Sequence, residues 1–502
     1  MKNTSLKGSL LARILALLLI LSIAVTAFAA CTKDKNPPPV DTDETKADDQ
    51  STEELGPDEW TPDVDLSELD YELATVRILQ RESTKGEFFS ESGVEGSTVS
   101  QAVYNRNDAV MSDLNIEFEF KTVAYSPNST GAFGTAVRTS VNTGSEQDMY
   151  HIVANPMYYT SSYILEGLYL EMGAIENSYI NTAKSYWNSN FIEEQKLGGK
   201  YYYLLGDACT SLIEMMEVVF VNNDLAEQYL YEYDLYDLVY NGEWTYAKFL
   251  ELIAKASNGD ETGTYGFSVN PNSYNIDGFL SGMGLTILDK GNGALIPSVN
   301  VNSEHNFNII TALRDLYYEN SAVSSSGGYT KFVNGQAIFT IDRAIQSNDF
   351  FAKEIKYSLL PIPKWDENQA DYSITAHDEY TGLTITSNVK DPQMITAVLE
   401  CLAYHSHSTV YQAMYESTYR LRYSDNQKEA DMFDFIYEHL EIKMGQIYSY
   451  VLGEAKNTPR YLLYPSTNTY IANKDDGIYS KLDPLKDTIE VSLETFWNYL
   501  QQ

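Results

Sequence analysis

Three cysteines in 502 residues are too few to build a domain on disulfides. Cys31 stands by itself near the start. Cys209 and Cys401 carry no framework spacing, so both are expected as buried free thiols. Histidine is also scarce, at six. His405 and His407 are two apart, which on a helix points them in different directions, and no third ligand stands near them; they are read as helix-end groups, not zinc ligands. Positive charge is short as well: 34 Lys and Arg against 71 Asp and Glu leave a net charge of −37. That excludes a nucleic-acid partner, whose phosphates need clustered cations, and disfavours broad adsorption to anionic membrane. Signatures of nucleotide and hydrolytic chemistry are missing: no Gly-x-x-x-x-Gly-Lys, no strand–GxGxxG–helix, no Gly-x-Ser-x-Gly, no His-Glu-x-x-His. Residues 258–267 contain Asn258, Asp260 and Glu261 but lack the alternating ligands and twelfth-position Glu of a calcium loop, so they read as a turn. No cofactor and no metal is expected. Paired acids for glycoside hydrolysis stay open, because 71 acids supply chance pairs.

Long apolar runs are absent except at the start. Lys2, Lys7 and Arg13 precede the run Ile14–Ala30, the layout of a secretory leader over residues 1–30. Phe28-Ala29-Ala30 before Cys31 resembles a bacterial lipobox, with Phe28 in place of the usual Leu. The resemblance implies cleavage and lipidation at Cys31; a plain leader or an uncleaved anchor are the alternatives. Two acyl chains anchor a protein stably. Residues 31–67 are rich in Pro and acid with almost no apolar side chains, so they read as a disordered tether.

Tyrosine is in excess, at 40. A ring with a polar tip suits carbohydrate surfaces, although each Tyr taken singly also serves as half-buried packing. The length accommodates two to three domains. Ala74–Leu79 and Ile116–Lys121 alternate as strands. Between them Ala102, Val103, Val110 and Leu114 share a helical face, so the three make a βαβ step of a mostly parallel sheet. A helix is expected at 131–142, strands at Met149–Val153, Tyr201–Leu205 and Glu217–Asn222, and helices from Asp224, over 246–256 behind Thr245 as N-cap, and over 305–320. Residues 321–329 read as a loop. Phe332–Ile341 reads as a strand turning at Asn334-Gly335, 343–353 as a short helix, and Tyr357–Pro363 as a strand stopped by prolines. That stretch reads as a crossing between two lobes over a cleft. Tyr380–Ile385 is a further strand. Asp391-Pro392 starts a helix whose core face is Met394, Ile395, Val398, Leu399 and Leu402. A last crossing near 407–415 and helices at 426–440 and 488–501, with Trp497 facing the core, complete the chain.

The run FVNGQAIFTIDR…YSLLPIPKW, together with AVYNRN, GD before EVVFVN, LYDLV-x-x-GEWT and WDENQADY, resembles the extracellular solute-binding proteins (family 1) of carbohydrate ABC importers, the maltose-binding-protein-like family. It covers most of residues 71–440. The resemblance implies an α/β, two-lobe periplasmic-binding-protein-like fold of class II, each lobe a mostly parallel sheet flanked by helices. The first lobe would be 68–207 plus 362–412, and the second 208–361 plus 413–502. It implies a monomeric, lipid-anchored receptor on the outer face of the cell membrane, without enzymatic activity, that binds a carbohydrate and docks on permease subunits. The candidate ligand residues are Asn155, Tyr158, Tyr202, Asp207, Asp277, Asp342, Arg343, Trp365 and Tyr380. Tyr159, Asn275 and Phe279 neighbour them. Asp342–Arg343 reads equally as a structural ion pair, Asp207 equally as a hinge cap, and Trp244 as packing. A secreted glycan-degrading enzyme, or a receptor for a peptide or other polar solute, are the competing readings. Replacing Cys31 by Ser is expected to move the protein from the membrane fraction to the medium, read by fractionating expressing cells; retention in the membrane would leave the uncleaved anchor.

Overall fold

The structure is a computed structural model describing residues 61–91, 97–124, 131–145, 149–256, 263–270, 273–291, 294–415, 427–452, 477 and 479–502, all within the compact unit Gly56–Gln502. The leader, Cys31, most of the tether and residues 258–262 of the turn segment lie outside the described residues.

β1 (Ala74–Arg81) pairs in parallel with β2 (Ile116–Val123) and with β3 (Ile152–Pro156). The crossover is α1 (Thr98–Leu114). Ser97 Oγ accepts from Ser100 N at 3.2 Å at its start, and Asn115, at φ 48°, turns the chain straight into β2. Ala102, Val103, Val110 and Leu114 are buried, as their spacing predicts. α2 (Ala132–Asn142) adds Phe133 and Val137 to the same core. The β3 ladder begins three residues later than the apolar run suggests. Ser140 Oγ holds Tyr150 N at 2.7 Å, and His151 exchanges hydrogen bonds with the backbone of Arg77, so the chain enters the sheet only at Ile152. Tyr202–Leu205 is buried and Tyr201 partly so, but the run contributes only an isolated bridge, Leu204 to Leu383. The Gln195 carboxamide takes the amides of Tyr202 and Tyr203 at 3.1 and 2.9 Å, replacing a ladder.

The second sheet draws on the middle of the chain. β4 (Glu217–Asn222) is followed by α3 (Asn223–Tyr229), α4 (Tyr246–Ala256), β5 (Tyr265–Ser268) and α5 (Ser273–Gly282). A two-residue ribbon, β6 (Leu288–Asp289) with β7 (Ser298–Val299), precedes α6 (Glu304–Tyr318) and the edge strand β8 (Val323–Ser324), which lies inside the expected 321–329 loop. Then come α7 (Gly328–Val333), β9 (Ala337–Arg343) and β10 (Tyr357–Leu360). The order is β10-β4-β9-β5-β8, with β4 antiparallel to both neighbours. Trp244 is wholly buried against Phe249 and Phe339, and its Nε1 donates to Pro361 O at 2.8 Å. Lys248 N reaches Thr245 Oγ1 at 3.3 Å, the expected cap.

Three readings of the Phe332–Trp365 stretch change. Phe332 and Val333 end a helix rather than start a strand; Asn334 caps it and Gly335, at φ 66°, releases the chain into β9. β9 and β10 both belong to the second sheet, so the stretch makes no crossing. Trp365 still lies against that side, stacked on Tyr246 at 5.9 Å and edge-on to His305. The passage comes later, at residues 374–380, before β11 (Thr381–Ile385) closes the first sheet antiparallel to β3, in the order β11-β3-β1-β2.

α8 (Pro392–Ser406) starts at Asp391, whose Oδ1 accepts from Met394 N at 3.0 Å. It continues through a π-helical turn, His407–Tyr411, and Val410 and Ala413 still pack on Ala102 and Val103 of α1. By α9 (Gln427–Glu438) the chain is on the second sheet, with Lys428 paired to Asp234. The crossing thus falls after Ala413. α10 (Tyr479–Leu500) buries Leu482, Ile489 and Phe496, while Trp497 is only half-buried, laid over Gly198. Cys209 and Cys401 are free and buried. No helix among the described residues is long and apolar enough to cross a membrane.

The tightest approach of a helix to the second sheet is at Gly266. A Cβ there would sit 2.1 Å from Ile253 O and 2.5 Å from Ile253 Cα, both backbone atoms of α4. Gly266→Ala is therefore expected to cost about 1–3 kcal/mol, measured as a lowered urea midpoint.

Candidate functional site

Two segments pass between the sheets, residues 209–217 and 374–381, and they hold each other. Met216 and Ala376 form an antiparallel bridge, Glu217 N donates to Thr375 O at 2.9 Å, and His377 N donates to Met215 O at 2.8 Å. A carboxylate ties the pair to the first sheet. Glu87 accepts from Ser211 N at 2.7 Å and from Thr381 Oγ1 at 2.5 Å, while Thr381 N donates to Ser211 Oγ at 2.9 Å. Arg81, the last residue of β1, is buried; its guanidinium donates to Glu379 O and, at 2.9 Å, to Thr84 Oγ1. The meeting point lies at the carboxyl ends of parallel strands, where open α/β sheets bind ligands.

The second sheet presents the carboxyl ends of β9 and β5 to the same crossing. Ala344 N donates to Met216 O at 2.8 Å, and Glu217 faces Arg343 across the ladder. Asp342 Oδ1 accepts from Arg343 N at 2.8 Å, with the guanidinium 3.7 Å away. Gly278 packs so closely on Ile341 and Glu217 that a Cβ would lie 2.9 and 3.1 Å from their side chains; this brings its neighbour Asp277 to that end of the sheet. Asp277, Leu280, Ser281, Thr375, Gln446 and Ser449 line a cavity of about 70 Å³. Gln446 is fixed by hydrogen bonds of 2.6 Å with Thr375 Oγ1 and Ala376 O.

Burial governs the acids here. Glu214, half-buried beside the crossing, is pushed up to about 7 by desolvation; the charge of Glu87 adds to the shift and Arg81 opposes it. Desolvation also raises Asp342, against its bonds and charge contact with Arg343. Asp207 is pushed up to about 6 by burial, opposed by a 2.5 Å hydrogen bond with His407 Nδ1.

The nine candidate residues occupy different environments. Asp277, Asp342 and Arg343 share the cleft end of the second sheet. Tyr158 lies edge-on to Tyr450, the neighbour of Ser449 in the cavity wall, with centroids 6.4 Å apart. Asp207 lines a separate pocket of about 200 Å³ with Trp187, Asn188, Thr210, Tyr411 and Tyr437. Asn155 is buried, with its Oδ1 accepting from Tyr169 OH at 2.5 Å. Tyr202 and Tyr380 are in the core, Tyr380 edge-on to Phe191 at 6.3 Å. Tyr159 and Phe279 are wholly buried, and Asn275 nearly so. Trp365 remains in its stack on Tyr246. Arg81, Glu87, Glu214, Thr375 and Gln446 were not singled out from sequence. Glu214 had a signal: an acid inside the apolar run Ser211–Met216 is buried or at a site. Gln446 had none, since only the fold brings it to the crossing.

No protein-family model matches the sequence, and no curated protein does. Solved structures do match. An ABC substrate-binding protein from Listeria monocytogenes, in complex with cycloalternan, shares 14% identity over 84% of this chain and 99% of its own, with a TM-score of 0.54. The sugar-binding protein MalE from Xanthomonas citri shares 12% over 86% and 100%, at 0.57. The maltose-maltodextrin binding protein of Alicyclobacillus acidocaldarius shares 13% over 83% and 100%, at 0.51. This chain has their two-lobe periplasmic-binding fold.

A carboxyl whose folded pKa is raised contributes stability that is complete below its unfolded value and is lost as pH rises through the folded value. For Glu214 that window runs from about 4.5 to about 7. Glu214→Gln is therefore expected to melt several degrees higher than the parent at pH 8 and to match it near pH 5; parallel melting curves at both pH values would contradict this.

Proposed function

We propose that the chain is the substrate-binding lipoprotein of an ABC importer, capturing a carbohydrate, in particular an oligosaccharide, by hinge closure and delivering it to a membrane permease. The observation that carries this reading is the paired crossing: two backbone segments bonded to each other, with polar groups from the strand ends of both sheets around them. Such a pair is a hinge, because a change in a few backbone angles swings one sheet against the other. A cavity of about 70 Å³ is well below the roughly 300–1,000 Å³ of a small-molecule site, so a sugar enters only as the walls part. Moving the lobes from one state to the other asks the ligand for about 5.5 kcal/mol of differential affinity.

A fold does not name its solute. Sugar is favoured by the chemistry at the cleft: Asp277, Asp342 and Glu214 accept from hydroxyls, Arg343 donates to them, and the Tyr158–Tyr450 pair offers ring faces. These residues, with Thr375 and Gln446, are the proposed ligand contacts. The two sheets support lobes of 68–207 with 362–412 and of 208–361 with the C-terminal segment 413–502. Residues 364–369, however, pack on the second lobe, and the end of α10 lies on Gly198 of the first. The proposed setting is the extracellular face of the membrane, anchored by Cys31, as a monomer that binds without turnover.

Thermal melting of the purified chain with a panel of mono- and oligosaccharides tests this. One glycan class is expected to raise the midpoint, since a ligand at a hundredfold excess over its Kd adds about 2.7 kcal/mol. Arg343→Ala is expected to weaken that glycan at least tenfold with little change in the unliganded midpoint. Appearance of shortened glycan would replace the receptor with the enzyme, and no shift across the panel would point to a peptide or another polar solute.

A further inference from the structure

His405 was read from sequence as lacking ligand partners, and the fold supplies two. Cys401 and His405 are one turn apart on α8 and so share a face. Asp113, in the last turn of α1, comes up against them. His405 Nε2 is 2.7 Å from Asp113 Oδ2, and the three candidate donor atoms all lie within 4.8 Å of one another. We propose that Asp113, Cys401 and His405 form a binding site for a borderline divalent cation of the zinc type, with water as fourth ligand.

Three features support the assignment. The donor set is one that zinc takes: a thiolate, an imidazole and a carboxylate, which together match its tetrahedral preference better than calcium or magnesium's all-oxygen shells. Around a tetrahedral ion with bonds of about 2.0 Å, the nitrogen and oxygen stand roughly 3.3 Å apart, so the observed His–Asp contact has to open by about half an ångström. Access is graded: Cys401 is wholly buried, whereas the side chains of His405 and Asp113 are 19% and 33% exposed, leaving a solvent side for entry and for the water. The site also lies at the C-terminus of α1, whose helix dipole favours a positive charge.

Binding exchanges protons for the metal. The Cys401 thiol proton leaves to solvent as the sulfur–metal bond forms; the proton between His405 Nε2 and Asp113 Oδ2 leaves as well, the neutral imidazole carrying its one proton on Nδ1, so that nitrogen and carboxylate oxygen both bond the metal, and no oxidation state changes. The ion would pin α1 to α8, two helices on the first sheet, away from the hinge. The site is thus independent of the sugar reading.

The acidic surface of this chain will hold divalent cations loosely, so the test has to read sulfur. Cobalt(II), a spectroscopic stand-in for zinc, is titrated into the purified full chain under reducing conditions. A thiolate-to-cobalt charge-transfer band in the near ultraviolet with tetrahedral visible bands, both bleached by zinc, is expected. Cys401→Ser should abolish the band while Cys209→Ser and Cys31→Ser keep it. His405→Ala and Asp113→Asn should each weaken cobalt binding about 10–100-fold. Absence of a thiolate band, or its survival in Cys401→Ser, overturns the site. If Cys401→Ser does not fold, parental cobalt affinity in His405→Ala overturns it equally.

Discussion

Each crossing segment would by itself be a loose connector between two sheets. Bonded in antiparallel fashion through Met216 and Ala376, and fastened to Glu87 through Ser211 and Thr381, they become one short ribbon with a defined place. The carboxyl ends of β1 and β9 converge there because the ribbon leaves them no other position. The polar groups around it follow from the same geometry. Backbone that leaves a sheet has unpaired amides, and buried amides have to be met. Glu87 meets Ser211 N, and Ser211 Oγ meets Thr381 N.

That arrangement draws ionisable groups inside a protein whose charge is otherwise overwhelmingly on its surface. Glu400 illustrates how such a group is accommodated away from the cleft. Tyr186 OH and Trp187 Nε1 donate to it at 2.5 and 2.8 Å, yet burial still holds it up to about 7. It anchors the 181–187 loop to α8. Glu214 is different: its surroundings are other charges, Glu87 and Arg81, rather than a closed set of donors. Its carboxyl, raised to about 7, stands within the crossing segment itself.

Elements whose causes are local were legible from the sequence. α1 follows from its apolar period, α4 from the cap at Thr245, α8 from both period and the cap at Asp391, and β1 and β2 from alternation. Where a distant partner decides, the reading failed. Tyr201–Leu205 has strand composition, but Gln195 takes its amides. Asn334-Gly335 reads as a turn within a strand, but a helix precedes it and the pair ends that helix instead. The path from β10 was misread because prolines mark where a strand ends, not which sheet the chain enters next. The same limit applies to the sites. Asp342 and Arg343 were within reach because they stand at a strand's end, and Asp277 through the family resemblance, whereas Gln446 and the meeting of Asp113 with His405 depend on contacts far apart in the chain. Family motifs carried the two-lobe architecture, and they were poorer guides to individual side chains: Tyr380 and Trp365 sit in packed surroundings.

The closing strand of the first sheet has a consequence for assembly. β11 lies beside β3, yet more than two hundred residues separate them, and every strand of the second sheet is made in between. A chain emerging N-terminus first thus presents β3 with one flank bare until residue 385 arrives. The second sheet has all its strands by residue 360. Loop closure over such a span is slow relative to local pairing, and a bare strand flank invites wrong partners. The order of completion is therefore inverted with respect to synthesis: the lobe begun first is finished last, and its half-built sheet is the stage at which quality control has most to protect.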